Sequence, residues 1–523
     1  SENRMQEYLP IAKRGYLSMT DGSSLGYNGN ITLNYNTLFG EKHILYAGIG
    51  CEVKQDDSNS HGFTLTGFPD DRYSDPAFAI QFKENSRATS DESKSRSIGF
   101  FANGNYIYDD RYFADVSVRI DGSSKFGVDK RFAPFWSVGA GWNVHNEKFF
   151  KSTKVSMLKL RYSYGVTGNQ EFSAYQAQTM FQFNTDRLYN SSVTAELMGY
   201  GNPDLEWQNQ YQSNFGLDFG YAKDRIRVQF NYYLKKTQGL LTTITVAPSL
   251  GFPSDNYTAN LGEIQNKGLE VNLNAVIIRD MEKELEWSVM FQAANNKNKI
   301  RKISTALKTV NDENNKNTQV PGAVYEEGES MSAIKAVRSL GIDPTTGKEL
   351  FVKKNGELTY TWDAEDKVIC GDTEPKVFGN FGTNLYWKGW NLNMVFKYNF
   401  GADYYNSTLA QRVEGADPAK NADRRVLKDR WKEPGQHALY KNIKDYKTTY
   451  ISSRFVQKDN TVQLSTLSLS YEVNKAWISR FGMNTLRLSF YMNDVFRAST
   501  VKNERGIDYP FQRSFVFGLN VSF

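Results

Sequence analysis

The chain has 523 residues, of which 40% are hydrophobic, 14% aromatic and 23% charged, and its formal net charge is +5. This weak positive charge lies in no basic block, so the composition argues against nucleic acid as a partner. No run approaches the ~20 apolar residues that a membrane-spanning helix needs, which excludes a helical membrane protein. A membrane β-barrel remains possible, because each of its strands supplies only about ten alternating residues and no long apolar run.

The elements that the sequence predicts are strands, because apolar and polar residues alternate with a period of two. In one segment, for example, Val116, Val118 and Ile120 alternate with Arg119 and Asp121. We count fifteen such strands from residue 27 onward, with a short sixteenth candidate at residues 16–19. Each of them would have one apolar and one polar face.

The connections between these strands alternate in length. The short ones are residues 40–42, 109–111, 145–156, 222–225, 279–284, 388–389 and 474–483. The long ones, rich in Gly, Asn and Asp, are residues 55–93, 167–207, 239–262, 298–378 and 401–460. Tight turns at one end and long loops at the other are typical of outer-membrane barrels. Within the last loop, "NADRRVLKDRWKEPG" predicts a short helix that Asn421 caps.

We therefore predict an all-β fold, a transmembrane antiparallel β-barrel to which this chain contributes 15–16 strands. The polar faces would be costly to bury in the core of a soluble sandwich, but they can line a wet lumen while Leu, Val and Phe face lipid. Residues 27–523 would form the barrel part, and residues 1–26 an extracellular loop or a partial strand. The final "SFVFGLNVSF" would be the closing strand, ending at the periplasmic rim with Phe523.

Several stretches resemble the SusC family of TonB-dependent transporters of Bacteroidetes outer membranes. They run in the family's order from about residue 29 to the end, and together they are highly specific. The stretches are "NGNYIYDDRYFADVSVRIDGSSKFG", "FAPFWSVGAGWNVHNEKFF", "LKLRYSYGVTGNQ", "GNPDLEWQ", "LGEIQNKGLEVNLNA", "GIDPTTGKE", "GDTEPKVFGNFGTNLYWKGWNLNMVFKYNFG" and "YPFQRSFVFGLNVSF".

This resemblance implies active import across the outer membrane in a multi-pass barrel of about 22 strands that encloses a plug. The plug and roughly the first seven strands would lie on a second chain. The plug chain would connect to TonB–ExbB–ExbD, and a SusD-like surface lipoprotein would cap the barrel. The cargo would be an oligosaccharide or an oligopeptide, and pairs of barrel and lipoprotein could dimerise. The alternatives are a passive porin or an outer-membrane barrel enzyme.

Nothing in the sequence indicates a catalytic site, a cofactor or a metal site. The four histidines are scattered over a turn, loops and a strand end. The segment "DPTTGKE" resembles a metal loop but lacks alternating acidic ligands, so we interpret it as a hairpin turn. Cys51 and Cys370 are interpreted as two isolated thiols, although a disulfide between them is the alternative. Glycines in "GIG" and "GAG" are expected to leave space in the lumen.

Aromatic residues of the long loops are the candidates for binding substrate, because flat rings stack on sugars or pack on peptides. The candidates are Phe68, Tyr73, Tyr189, Tyr404 and Tyr405. The simpler interpretation is that these rings pack loops together or contact the lipoprotein. The charged residues expected to face the lumen, where pairs with the plug are the favoured role, are Arg119, Asp121, Arg161, Arg227 and Lys397.

The longest loop has a second pattern of its own. Its stretch "SMSAIKAVRSLGIDPTTGKELFV" has the alternation of a β-hairpin, which predicts an ordered platform. We expect this platform, and the hairpin at residues 342–352 in particular, to hold the lipoprotein.

Overall fold

The structure is a computed structural model, and it describes residues 10–69, 75–84, 86–169, 174–190, 192–245, 256–260, 262–303, 311, 314–417, 423–445, 448–502 and 512–523. Most of this part of the chain forms strands. In chain order they are β1 (Tyr16–Phe39), β2 (His43–Thr66), β3 (Gln81–Phe82), β4 (Thr89–Tyr108), β5 (Tyr112–Ser123), β6 (Phe132–Asn143), β7 (Val155–Asn169), β8 (Met180–Tyr189), β9 (Ser192–Gly199), β10 (Gln208–Tyr221), β11 (Ile226–Gln238), β12 (Leu241–Thr245), β13 (Asn256–Asn260), β14 (Glu263–Asp280), β15 (Leu285–Lys302), β16 (Ala333–Ile342), β17 (Glu349–Val352), β18 (Leu358–Thr359), β19 (Lys367–Asp372), β20 (Val377–Trp387), β21 (Trp390–Tyr405), β22 (Val456–Glu472), β23 (Thr485–Ser499) and β24 (Phe515–Ser522).

Helices in the described residues are short. They are the α-helix α1 (Lys475–Ile478), a π-helix (Leu409–Glu414) and 3-10 turns at Ile11–Lys13, Pro76–Phe78, Val128–Lys130, Val144–Asn146, Ala364–Asp366, Arg424–Leu427, Ser453–Phe455 and Ser479–Phe481. Within that same part of the chain, no helix combines the length and the apolar character that crossing a membrane requires.

One large antiparallel sheet contains fifteen strands in sequence order, which confirms the predicted number. The order is β1-β2-β4-β5-β6-β7-β10-β11-β14-β15-β20-β21-β22-β23-β24, and β3 adds two residues beside β2. The strands β1 and β24 end this order, one at each edge. Separate small sheets are formed by β8 with β9, by β12 with β13, and by β16 to β19.

Consecutive strands of the large sheet are joined alternately by tight connections at one end and longer ones at the other, as predicted. We call these ends the turn side and the loop side. On the turn side, Asp109 and Asp110 adopt positive φ angles of 52° and 53° between β4 and β5. Aspartate tolerates this left-handed conformation better than most residues, because its short side chain can bond locally. All the small sheets lie in loop-side connections.

The two faces of the large sheet differ in polarity as the alternation predicts. Val116, Val118 and Ile120 are 44–49% exposed, and cross-strand neighbours of the same kind surround them. On the opposite face of the same strand, Arg119 and Asp121 form an ion pair. The sheet thus exposes its apolar face, whereas charged side chains on its polar face form ion pairs.

Rings on the apolar face collect at the turn side. Tyr108 stacks on Tyr112, and Tyr112 stacks on Trp142, each with 6.4 Å between ring centroids. Further along the sheet, Trp390 contacts Tyr471 at 4.6 Å. This row of rings at strand ends has the composition of an aromatic girdle at a lipid–water boundary.

Four details differ from the sequence-based expectations. The candidate strand at residues 16–19 is the beginning of β1, which also crosses the predicted boundary after residue 26. The loop expected at residues 55–93 is shorter, because β2 and β4 stay paired up to Gly62 and Thr89 although both faces become polar. The helix near residue 424 is a 3-10 turn whose cap is Asp423, since its carboxylate accepts the Arg425 amide at 2.8 Å. Asn421 lies outside the described residues.

The fourth difference concerns the strand glycines. A Cβ atom at Gly50 would lie 2.5 Å from the ring of Phe101, and one at Gly141 would lie 1.8 Å from the ring of Phe113. These aromatic residues stand directly opposite the glycines on the neighbouring strands. The glycines therefore make room for rings of the sheet itself, where we expected empty lumen space. Such pairs of aromatic residue and glycine stabilise register, since the ring covers the exposed backbone.

Candidate functional site

The polar face of the sheet holds four of the five predicted lumen residues in ion pairs. The guanidinium of Arg119 donates to Glu52 at 2.9 Å and to Asp121 at 2.6 Å. Arg161 donates to both carboxylate oxygens of Asp218 at 2.8 Å, and the Asp218 side chain is only 10% exposed. Bidentate pairs of this geometry are the strong ones, because two parallel hydrogen bonds fix the planar groups. The polar face is therefore pre-organised within this chain.

The two remaining lumen candidates are less constrained. Arg227 pairs with Asp224 at 2.7 Å, close to the turn side. Lys397 is exposed and lies between Asn380 and Gln463 on the neighbouring strands. Both of these neighbours are uncharged, and in the part of the chain that the structure describes Lys397 makes no ion pair. Its charge is thus available on the polar face.

The aromatic candidates are not gathered into one surface. Phe68 is buried, and its ring lies beneath the backbone of Gly15. Tyr404 is half-buried, whereas Tyr405 is buried and packs edge-on against Phe455. Tyr73 lies outside the described residues. Tyr189 pairs with Ser192 through the backbone of the β8–β9 hairpin, and its side chain lies outside the described part.

The longest loop forms the ordered platform that its hairpin pattern predicts. Strand β16 pairs with β17 and β19, and β17 pairs with β18. The predicted hairpin turn closes through the amide of Gly347 on the carbonyl of Asp343 at 2.8 Å. Hydrogen bonds from Tyr360 and Thr346 lower the pKa of the Asp343 carboxyl to about 2. We call this four-stranded sheet, together with residues 406–417 and 423–455 where described, the loop platform.

The loop platform has its own small hydrophobic core, which ties it to the large sheet. The buried members of this core are Ile334, Ala336, Tyr405, Ala410, Ile451 and Phe455. Because Tyr405 ends β21 and Phe455 directly precedes β22, the core sits on two neighbouring strands of the large sheet. The amide of Val337 also donates to the carbonyl of Ile451. The platform is therefore a fixed structure on the sheet.

A buried charge network crosses the loop platform at Arg454. Its guanidinium donates to Glu349 at 2.9 Å and to Glu414 at 2.6 Å and 2.8 Å. The side chains of Glu349 and Glu414 are 6% and 0% exposed. Burial by itself would lower the pKa of Arg454, but the two carboxylates outweigh it and raise the pKa. The network joins β17, the π-helix and the segment before β22 at one cation.

A second buried arginine, Arg430, donates hydrogen bonds to backbone carbonyl groups. Arg430 donates to the carbonyl oxygens of Val426, Lys441, Val413 and Glu414. Carbonyl groups of four separate positions thus converge on one guanidinium, whose five N–H groups suit such a cluster. This arrangement ties Val413 and Glu414 to Val426 and Lys441.

The platform presents two surfaces to its surroundings. A cleft of about 560 Å³ beside Glu414 is lined mainly by polar residues, among them Gln411, Thr448 and Thr449. On the small sheet, Leu340 and Leu358 are 67% and 58% exposed, whereas Phe351 on its other face is buried. A polar cleft and two exposed leucines therefore lie on the same loop-side structure.

Sequence reasoning predicted the hairpin of the platform but missed its charge network. Glu349, Glu414 and Arg454 are separated by long stretches of loop, where charged residues are ordinarily solvated. The partners Glu52 and Asp218 were also missed. The alternation could have indicated these two, since it places them on the polar face beside Arg119 and Arg161.

Comparison with known proteins identifies the architecture. Residues 3–495 match the protein family described as TonB dependent receptor-like, beta-barrel. TonB-dependent receptor P39 of Formosa agariphila is 25% identical over 559 residues, which cover 94% of this chain and 52% of the relative. TonB-dependent receptor SusC of Bacteroides thetaiotaomicron is 23% identical over 535 residues, which cover 95% and 51%. The chain thus spans about half the length of the curated relatives that it matches.

Solved structures share the fold of this chain. The RagAB peptide importer in the closed-closed state superposes with a TM-score of 0.83 and 24% identity, covering 97% of this chain and 56% of that one. A further structure of the RagAB peptide transporter gives a TM-score of 0.82 at 23% identity, covering 93% and 53%.

Proposed function

This chain belongs to the family of TonB-dependent receptor-like β-barrels, and on that premise we propose that it forms most of the wall of an active importer in the bacterial outer membrane. The exposed apolar face of the sheet then faces lipid, and the ion-paired polar face lines the lumen. The turn side faces the periplasm and the loop side faces the exterior. Import through a barrel requires a wall that faces lipid, a polar lumen and an ordered outer rim. The two faces and the loop side of this sheet would supply these three features.

We infer the energy source and the presence of a plug from the family to which the chain belongs. A plug held inside the barrel would contact the polar face, where Lys397 lies between two uncharged residues and has no ion-pair partner among the described residues. TonB, driven through ExbB and ExbD by the proton gradient of the inner membrane, would pull on this plug and open a path. A passive porin needs no such plug, and the family gives no reason to expect an enzyme.

The partner at the outer rim would be a SusD-like lipoprotein that closes over captured cargo. The loop platform carries this proposal, because it is ordered, fixed to β21 and β22, and exposes Leu340 and Leu358. Large exposed apolar patches mark sites of protein association, and these two leucines would be part of such a surface. We infer that the platform stays attached to the lipoprotein during opening and closing, with an interface above roughly 1,000 Å².

The cargo would be an oligopeptide or an oligosaccharide. The polar cleft of about 560 Å³ has hydroxyl and amide groups that can hydrogen-bond the backbone of either polymer. The RagAB neighbours are described as peptide importers, so oligopeptides are the first class to test. Of the candidate aromatics with described side chains, Tyr404 is the one with an accessible ring surface near the platform.

The decisive experiment removes the hairpin and follows the partner. In cells that produce the full-length protein, residues 342–352 are replaced by a short flexible linker, and the protein is purified from the outer membrane in detergent. We expect the barrel to remain in the membrane and the lipoprotein to be lost. Retention of the lipoprotein at the original level would place its attachment elsewhere and contradict this proposal.

A further inference from the structure

The outward face of β2 and β4 changes character at one row of residues. From the turn side upward, opposite pairs such as Cys51 with Phe100 and Val53 with Ile98 are apolar. The next pair on the same face is Gln55 with Arg96, and beyond it Asp57 forms an ion pair with Lys94 at 2.6 Å. On the proposed membrane placement, this row marks the level at which the acyl chains end and the lipid headgroups begin.

A groove of about 520 Å³ lies at this level of the outward face. Its lower part is apolar, formed by Val53, Ile98 and the 61% exposed Phe132. The ring of Phe132 covers Gly122, where a Cβ atom would lie 2.5 Å from the ring. A side chain at position 122 would displace the Phe132 ring. The broad apolar floor of the groove therefore depends on Gly122 of β5.

The upper part of the groove is cationic. Arg96 and Arg131 line it, and no aspartate or glutamate is among the lining residues. Lys54 also borders the groove, but its side chain alternates to the opposite face of β2, where it pairs with Asp56. Among the described residues, no carboxylate pairs with Arg131 or with Arg96, whose Nε atom donates to Gln55 at 2.9 Å. This bond orients the Arg96 guanidinium over the groove edge. Tyr27 donates to the same Gln55 oxygen.

We propose that this groove binds one phosphorylated lipid of the outer leaflet, with the lipid phosphate at Arg96 and Arg131 and an acyl chain on Val53, Ile98 and Phe132. The apolar floor lies where acyl chains end, Arg96 lies one row above it, and Arg131 lines the same groove directly before Phe132. This is the arrangement that such a lipid requires. Arginine suits this role because its planar fork binds phosphate oxygens in pairs. The inference rests on the membrane placement proposed above and is independent of the cargo.

The test measures lipid retention by the full-length protein. Purified protein is placed in phosphatidylcholine nanodiscs that contain lipid A with its phosphates, or the same lipid after removal of the phosphates. Retained lipid is counted by native mass spectrometry, with and without excess inorganic phosphate. The variants are Arg96→Gln, Arg131→Gln and the double variant. The control is Lys94→Gln, since this residue lies on the same strand and face but is already paired with Asp57.

We expect the wild-type protein to retain the phosphorylated lipid and to ignore its dephosphorylated form and free phosphate. Each arginine variant should lose about fivefold in retention and the double variant about 30-fold, from the usual contribution of a cation near an anionic lipid surface. The proposed lipid site would be contradicted by equal retention of the two lipids, by an unaffected double variant, or by an equal loss of lipid in Lys94→Gln. A protein that does not fractionate with the outer membrane would overturn the membrane placement and the groove with it.

Discussion

Arg454 donates two hydrogen bonds to Glu414, 2.6 and 2.8 Å long, across 40 positions of the chain. The Glu414 carboxylate is fully buried, and it also accepts from the hydroxyl of Thr449. Because Glu349 shares the same guanidinium, one cation pairs with carboxylates from two different loops. We therefore expect the ordered structure of the loop platform to depend on the Arg454 guanidinium.

Arg454→Met should unfold the loop platform while leaving the large sheet intact. Removing one partner of a buried ion pair leaves uncompensated charge and costs about 3–5 kcal/mol. Hydrogen exchange measured by mass spectrometry should show loss of protection in residues 406–455. Lys353→Met is the matched control, because its pair with Glu357 is exposed and screened by solvent, so its loss should leave protection unchanged. Equal protection in both variants would contradict the role given to Arg454.

Asp218→Asn should destabilise the sheet more than Asp224→Asn. Both aspartates pair with an arginine, but the Asp218 side chain is 10% exposed and bidentate, whereas that of Asp224 is 39% exposed. A buried charged partner that loses its counter-charge costs about 1–3 kcal/mol. Thermal unfolding followed by circular dichroism in detergent measures the difference. Similar unfolding temperatures for the two variants would argue that the lumen solvates Arg161 freely.

Gly141→Ala should be destabilising, and Phe113→Leu should partly rescue it. The new methyl group would overlap the Phe113 ring, and overpacking of this kind costs about 1–3 kcal/mol. A double-mutant cycle in thermal unfolding gives the coupling between the two positions. Gly29→Ala is the control, since nothing lies within 4 Å of its Cβ position. Additive effects at Gly141 and Phe113 would show that the ring moves aside.

Acid should loosen the hairpin turn of the loop platform only at low pH. The pKa of Asp343 is lowered to about 2 by its bonds to Tyr360 and Thr346, compared with about 3.9 in an unfolded chain. Its stabilising effect is therefore complete above pH ~4 and is lost as the pH falls through about 2. Protease sensitivity of the turn across this range measures it. Asp343→Asn should be sensitive at every pH, and a wild-type turn that loosens already near pH 5 would refute the assignment.

Leu340→Ser with Leu358→Ser should weaken lipoprotein binding without unfolding the platform. Both side chains are exposed, so their replacement removes apolar docking area and leaves the buried face with Phe351 unchanged. Co-purification of the lipoprotein should fall by at least tenfold if each residue contributes about 1 kcal/mol or more at the interface. Met281→Ser is the control, an 81% exposed residue on the turn side. A loss of lipoprotein in the control would point to an indirect effect.

The fold was largely predictable because alternation in a two-faced strand is a local signal. The strand count and the sorting of connections follow from that period alone. The end of β2 was missed because residues 55–62 are polar on both faces, so pairing continues after the period disappears. The packing of Tyr405 in a loop core, which was the simpler interpretation of its ring, could not be specified from the local sequence. It depends on Ile451 and Phe455, which long-range folding brings to β21 and which no local pattern relates to it.

The length of β1 and β2 makes the outer rim uneven. From Gln55, where the outward face becomes polar, β2 continues for eleven more residues to Thr66, which is about 36 Å along the strand. Between β5 and β6 the sheet ends much lower, since only residues 124–131 join them. In the proposed barrel we therefore expect the outer opening to be slanted, with the side formed by β1 and β2 rising above the rest. Macromolecular cargo would have to enter across the low side, which gives the mouth a preferred direction of approach.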